Sequence, residues 1–299
     1  MIVNCPSFKC GETPFLSPKF KSIVRNGFYR RLSDSRILQR YFCRKCGRYF
    51  SAASGSACFN QKKRRINFKL RELLCSGVSQ RRAARILHVS PKTVIRRFHF
   101  LAQEARFRNE SSLTTYPKHS LTQIQFDDLE TSEHSKCKPL SVALAVDQKT
   151  RKILSFQVSQ MSAKGLLVKK ALKKYGHRRD ERALGWSALM LALVPLAHPK
   201  AEFTSDENPH YPRFLKAHHP EVKHIQVKGG RGCIAGQGEL KKLKFDPLFA
   251  LNHTCAMLRA NLNRLFRRTW CTTKTRTGLA DHLAIYMDYH NSVLIKSAR

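Results

Sequence analysis

The sequence predicts an α/β protein: a mixed five-stranded sheet flanked by helices, preceded by two small N-terminal modules. Three observations lead there. Cysteine pairs with metal-ligand spacing are confined to the first 58 residues. Three short helical runs with clear start signals follow. Beyond a polar stretch, three strand-like segments precede an alternation of helices and strands.

Composition sets the outer limits. The chain has 299 residues, with 56 Lys+Arg against 20 Asp+Glu and a formal charge of +36. An apolar share of 42% supplies a core and argues against a basic disordered tail. So much positive charge along the whole chain repels itself and calls for a polyanion, DNA or RNA. The opening MIVNCPSFKC lacks the apolar centre of a signal peptide. The apolar run from Trp186 to Ala197 is broken by Pro195 and reads as a buried helix, too short to span a bilayer. No membrane partner is expected, and ten cysteines without an export signal suggest reduced thiols or metal ligands. The expected location is cytoplasmic, associated with the nucleoid.

The first module, residues 1–58, reads as a zinc ribbon. Cys43 and Cys46 form a CxxCG knuckle, whose tight turn brings two thiolates to one ion while Gly47 takes the strained backbone. Cys5 and Cys10 are a looser second pair. Tyr49 and Phe50 are placed to pack beneath the metal. Cys58, Cys75, Cys137, Cys233, Cys255 and Cys271 have no such partners in sequence and read as small buried hydrophobes.

Residues 62–106 form the second module. A helix is expected from Ile66 to Ser76, ended by Gly77. Ser79 caps the run QRRAARILHV, and Ser90-Pro91 starts a third helix with a capping serine and a first-turn proline. Three such helices describe a helix-turn-helix, with the third entering a major groove. Lys92, Thr93, Arg96 and Arg97 are its candidate contacts to bases or phosphates; an ordinary three-helix packing module is the alternative. Residues 107–120, polar and closed by Pro117, read as a linker.

The third segment is 121–299. LTQIQF alternates as a strand and runs into Asp127-Asp128. SVALAV (141–146) and KILSFQV (152–158) form a hairpin. Helices are expected at 163–175 and 184–196, a strand at 201–206 ending in Asp206, a helix at 210–218 and a strand at 221–227. A glycine-rich stretch, 229–238, lacks the Gly-Lys-Ser/Thr ending of a phosphate loop. It reads as an insert that contacts DNA, flanked by Lys228, Arg231, Lys241, Lys242 and Lys244. A long helix runs from Asp246-Pro247 to about Arg268, and another spans about 279–290.

This order of elements is the ribonuclease H-like pattern. Its carboxylates converge because two divalent ions, about 4 Å apart, must be held around the reacting phosphodiester. Hard oxygen ligands suit Mg²⁺ or Mn²⁺. Asp127 is the first candidate, with Asp128 in competition. Asp206 is the second, with helix capping as its alternative.

The stretches FDDLET, FTSDENPHYP and LNHTCAMLRANLNRLFRRTWCTTK resemble the DDE superfamily, specifically small bacterial insertion-sequence transposases carrying an N-terminal zinc ribbon. The resemblance extends over nearly the whole chain. It implies a DNA transposase that binds double-stranded DNA at element ends, cleaves it with divalent metal and transfers the freed 3′ hydroxyl into target DNA. A homodimer or larger synaptic assembly would bridge the two ends. It also implies Asp127, the first of the acidic pair, as the catalytic acid. One departure stands out: counting back from Leu258-Arg259, the third catalytic position is Asn252 where an acid is usual. Its amide oxygen would ligate an ion without charge. Arg259, two helical turns on, shares its face and would meet phosphate. Leu251, Cys255, Leu258, Leu262 and Leu265 make the opposite, core stripe. Arg264, Arg267, Arg268 and Lys274 are further DNA contacts on the matched stretch. Glu239 and Asp246 rival Asn252 as third ligand, and His253 is a weaker candidate. Two alternatives remain open: an inactive or domesticated relative acting as a DNA-binding regulator, and a nuclease on the same fold.

Overall fold

A computed structural model describes residues 5–7, 10, 22–228, 246–266 and 270–295. The chain divides into two compact units, Met1–Phe68 and Lys69–Arg299. The glycine-rich stretch 229–238, Cys233, Glu239, Lys241, Lys242, Lys244, Arg267 and Arg268 lie outside the described residues.

The first unit holds a three-stranded antiparallel sheet in the order β1 (Ile23–Arg30), β2 (Ile37–Cys43), β3 (Tyr49–Ser51). The knuckle turns at Gly47, whose amide donates to the Cys43 carbonyl at 2.8 Å with φ +68°. Only a residue without Cβ takes that backbone cheaply. The buried apolar cluster is small: Cys10, Cys43 and Phe50, with Ile23 and Tyr41 against it. Phe28, Ile37 and Tyr49 lie exposed. The buried cluster among the described residues is small for a unit of this size, which a cross-link would help to hold.

The second unit begins with α1 (Ile66–Leu74), α2 (Gln80–Ile86) and α3 (Pro91–Thr114). The expected caps are in place: Ser79 Oγ accepts from the Arg82 amide and Ser90 Oγ from the Thr93 amide. α3 differs from the expectation. It continues through Thr114, so most of the stretch expected as a linker is helix. Nor is the three-helix module a body apart. Leu70, Ala83, Val94, Phe98 and Ala105 share one core with the sheet and the last helices. The cause is a polar seam between α3 and the final helix α8 (Arg276–Tyr289). Asp281 binds His99 and Arg106, Asp288 binds Arg71 and Arg108, and buried Asn109 donates to the Ala284 carbonyl at 3.1 Å.

The sheet follows, built from β4 (Leu121–Ser132), β5 (Pro139–Asp147), β6 (Ile153–Gln160), β7 (Ala197–Asp206) and β8 (Lys223–Val227) in the spatial order β6-β5-β4-β7-β8. The first three strands are antiparallel; β7 and β8 are parallel to β4. β5 is buried along almost its whole length because both faces are covered. On one face lie α5 (Arg182–Leu193) and α6 (Tyr211–His218), with Trp186, Leu189, Leu193 and Phe214 packed on Phe126 and Phe203. On the other lie α7 (Phe249–Asn261), α8 and α3, with Leu251, Leu258 and Leu283 packed on Leu129, Val142 and Val146. α4 (Leu167–Tyr175) follows β6. α7 stops at Asn261, well short of Arg268, because Leu262 is extended at φ −104°, ψ 107°. α8 passes into a π-helical turn at His290–Leu294.

Candidate active site and metal centre

In the first unit the four cysteine sulfurs of Cys5, Cys10, Cys43 and Cys46 lie within 4.8 Å of one another. Cys5 and Cys46 are 3.6 Å apart, as are Cys10 and Cys43. Four thiolates at a Zn–S length of about 2.3 Å on a tetrahedron stand roughly 3.8 Å apart, so the donor set fits zinc. The amide of Arg48 donates to Cys46 and brings its thiol down to about 7, while burial raises that of Cys5.

In the second unit the site is set by strand register. Ile124 pairs with Phe203 and Gln125 with Thr204 across the parallel β4–β7 ladder. The paired register ends there; continued for two residues it leads from Asp127 to Asp206, on neighbouring strands about 4.8 Å apart. Burial, and then the charge of Asp206, push the Asp127 carboxyl up to about 6. Tyr211, at the start of α6, donates its hydroxyl to Asp127 Oδ1 at 3.0 Å, and the Asp128 amide donates to the same oxygen at 2.6 Å. Burial and the charges of Asp127, Asp128 and Asp206 drive the Tyr211 phenol far upward, so it stays a proton donor.

Asp128 faces the other way, as strand alternation demands. Its Oδ1 accepts from Ser141 Oγ and Trp186 Nε1, both at 2.9 Å. The structure therefore brings Asp127 to Asp206, and uses Asp128 to tie β4 to β5 and α5. Asp206 also closes a turn, its Oδ1 accepting from the Asn208 amide at 3.1 Å.

α7 lies over this face. Buried Gln125 holds its start by donating to the Pro247 carbonyl and accepting from the Leu251 amide. Burial raises the thiol of Cys255, on the next turn of α7, to about 12, with the Asp127 charge adding to it and Arg259 opposing. Leu251, Leu258, Leu262 and Leu265 are buried as expected. Cys255 is only partly buried, at the edge of that stripe. Asn252 is exposed and donates Nδ2 to Asp246 Oδ2 at 2.9 Å. No bond joins it to Asp127 or Asp206 among the described residues. His253 stacks on Phe249 at 5.7 Å.

Arg259 lines a cleft of about 700 Å³ with Glu130, His134, Lys136 and Lys164. Arg264 is placed differently from the expectation. It reaches this cleft, but its Nε is directed to His282 Nδ1 and its guanidinium lies 5.3 Å over the Phe98 ring. Burial lowers its pKa, and His282 and Phe98 are its partners within the fold. On α3, Lys92 and Arg96 are exposed, Arg97 is half-buried, and Thr93 is tied into the cap by Ser90 at 2.9 Å. Lys274 is exposed and donates to Thr272. Sequence reasoning missed Tyr211 and Gln125. The signal for Tyr211 lay inside FTSDENPHYP, which was read only for its acid.

No family model and no curated protein matches this chain. Among solved structures it is similar to a chain of the simian T-cell lymphotropic virus intasome in complex with PP2A regulatory subunit B56 gamma, at 16% identity and a TM-score of 0.22. That similarity covers 55% of this chain and 55% of the other, so the chain spans about half the length of its structural relative. No helix among the described residues is long and apolar enough to cross a membrane.

Proposed function

We propose that this chain is a DNA transposase with a ribonuclease H-like catalytic domain, acting on the ends of a mobile element by metal-dependent cleavage and strand transfer. The observation that carries the reading is the placement of Asp127 and Asp206 on adjacent parallel strands of a sheet ordered β6-β5-β4-β7-β8, near enough that the charge of Asp206 raises Asp127. The donor set suits Mg²⁺ or Mn²⁺, being hard oxygens whose mutual repulsion a cation relieves. Bound there, divalent ions would supply charge neutralisation at the reacting phosphodiester.

The chain's own groups have distinct tasks. Asp127 and Asp206 hold the ions. Tyr211 fixes one Asp127 oxygen so that the other is presented to the site. Arg259 takes a phosphate beside the scissile bond. The exposed Lys92 and Arg96 hold duplex DNA, and the Cys5–Cys10–Cys43–Cys46 site holds zinc and stabilises the ribbon. Double-stranded DNA and a second copy of the chain are the partners.

A second reading, a DNA-binding regulator on the same fold, is favoured by the neutral Asn252 in the third position. Labelled end DNA with Mg²⁺ or Mn²⁺ separates the two. Cleavage and joined products are expected from the wild type, and neither from Asp127→Ala or Asp206→Ala, with DNA affinity kept. Binding without metal-dependent cleavage favours the regulator, and cleavage without joining a nuclease. Full activity in either alanine variant overturns the site.

A further inference from the structure

We propose that the face of the ribbon sheet opposite the cysteines is a stacking surface for unpaired bases, and that its ligand is single-stranded DNA. Nothing in it depends on Asp127 or Asp206.

Strand register divides the sheet into two faces. Residues directly opposite across an antiparallel ladder project to the same side, and alternate residues of a strand share a side. Cys43 pairs with Ile23, and Tyr41 with Phe50. That face carries the small buried cluster and the cysteine site. One residue along, Phe42 pairs with both Val24 and Tyr49; on the same side Arg40 pairs with Ser51, and Leu38 with Tyr29. A hydrogen bond between the Tyr29 and Ser51 hydroxyls, at 3.1 Å, runs across this second face. Among the described residues none of its side chains belongs to the buried cluster.

Its rings are open to solvent. Tyr49 is 57% exposed and Tyr29 37%. The Phe42 and Tyr49 rings lie 4.7 Å apart at 40°, so each braces the other. The exposed Arg40 places its guanidinium 5.5 Å over the Tyr49 ring and donates Nε to the Asn26 carbonyl at 3.2 Å. The ribbon thus leaves aromatic surface outside a core that is short of it, and a base stacked there would remove that surface from water.

Charge selects the occupant. Arg25, Arg30, Arg36, Arg40, Arg44 and Arg48 are exposed, and the one acid among residues 22–51, Asp34, is bound by Arg31. Guanidinium groups take phosphates and aromatic rings take base faces. An apolar protein surface would leave these arginines without counter-charge. In duplex DNA the base faces are already stacked on one another, and only base edges and backbone are accessible. A platform of rings therefore finds its partner in a strand whose bases are unpaired.

The test uses the zinc-loaded full-length chain, a fluorescein-labelled oligothymidylate of about 12 nucleotides, and excess unlabelled duplex to occupy duplex-binding surfaces. Fluorescence anisotropy should show oligothymidylate binding that the duplex does not abolish. Tyr49→Ala should weaken it about 5- to 100-fold, while Tyr49→Phe, which keeps the ring, should bind like the wild type. Duplex affinity, measured separately, should be unchanged in both. An iodouracil-substituted oligonucleotide irradiated on the wild-type chain should cross-link within residues 22–51. That cross-link decides the matter if Tyr49→Ala loses its zinc and with it the ribbon. Complete competition by duplex, an equal loss on both forms of DNA, wild-type affinity in Tyr49→Ala, or no cross-link within residues 22–51 would each overturn the proposal.

Discussion

Replacing Asp127 with Asn should stabilise the metal-free protein, although it abolishes the proposed activity. In the folded chain Asp127 is raised from its ordinary 3.8 to about 6, by burial first and by Asp206 second. Between about pH 4 and 6 the folded state therefore holds a proton that the unfolded state has released. Stability falls as pH rises through that window, and the whole penalty stands above it. At about 1.4 kcal/mol per pH unit the ceiling is roughly 3 kcal/mol. Partial solvent exposure of the carboxyl brings the working figure to about 2 kcal/mol. Asn keeps an Oδ1 to accept from Tyr211 and the Asp128 amide, so little else changes. For a unit of this size the gain corresponds to a rise in Tm of about 4–8 °C. Trp186 and Trp270, the two tryptophans of the chain, both belong to the second unit, so intrinsic fluorescence follows its unfolding. The measurement is a thermal melt from pH 4 to 8 in buffer freed of Mg²⁺ and Mn²⁺ but retaining zinc. The variant should gain above about pH 6 and converge on the wild type near pH 4. Added Mn²⁺ should raise the wild type and leave the variant where it is. A variant less stable than wild type at pH 7.5, or a gain independent of pH, would refute the account of strained carboxylates.

Two further outcomes are expected. Metal analysis should find about one zinc per chain, and Cys43→Ser should lose it together with the structure of residues 22–51, since the buried cluster there is too small to persist alone; retention of zinc by that variant contradicts the site. Arg96→Ala in the full chain should weaken DNA binding, by about 1–3 kcal/mol with lost preference at one base if it reads a base edge, or evenly across sequences if it meets phosphate; unchanged binding, measured by fluorescence anisotropy at two salt concentrations, removes α3 from the interface.

Much of the sheet was legible because strand alternation is local. The runs at 121–126 and 141–146 fall inside β4 and β5, and the run at 152–158 begins one residue before β6. The serines at 79 and 90 cap their helices because a cap is a contact over three residues. The last turns of α3 were not legible. That stretch, ARFRNESSLT, has no apolar period because its inward face is polar. Arg106, Arg108 and Asn109 meet Asp281, Asp288 and a carbonyl of Ala284, some 175 residues and more away in sequence. Hydrophobic patterning cannot distinguish such a face from a solvated linker. The internal partners of Arg264 were not legible for a related reason: a guanidinium lying over Phe98 and against His282 reads in sequence like one exposed to solvent.

The charge balance gives the candidate site its clearest physical signature. In a chain with 56 basic and 20 acidic side chains, a carboxylate has cations in excess around it. Most well-placed acids are accordingly neutralised: Asp34 by Arg31, Asp180 by Arg182, Glu133 by Lys138 and Arg178, Asp281 by Arg106, Asp288 by Arg71 and Arg108. Asp127 and Asp206 have no salt bridge among the described residues, and the charge of Asp206 raises the Asp127 carboxyl. Placing two carboxylates together costs free energy that a nearby lysine would offset, and the sequence has lysines to spare. Their partners are a phenol, backbone amides and an exposed edge of α7. Among the described residues this pair is left without a cation while other acids are neutralised, an arrangement that a divalent ion would satisfy better than an ammonium group does. The abundant positive charge is then free for the polyanion, and the small negative centre serves the ions that would act on it.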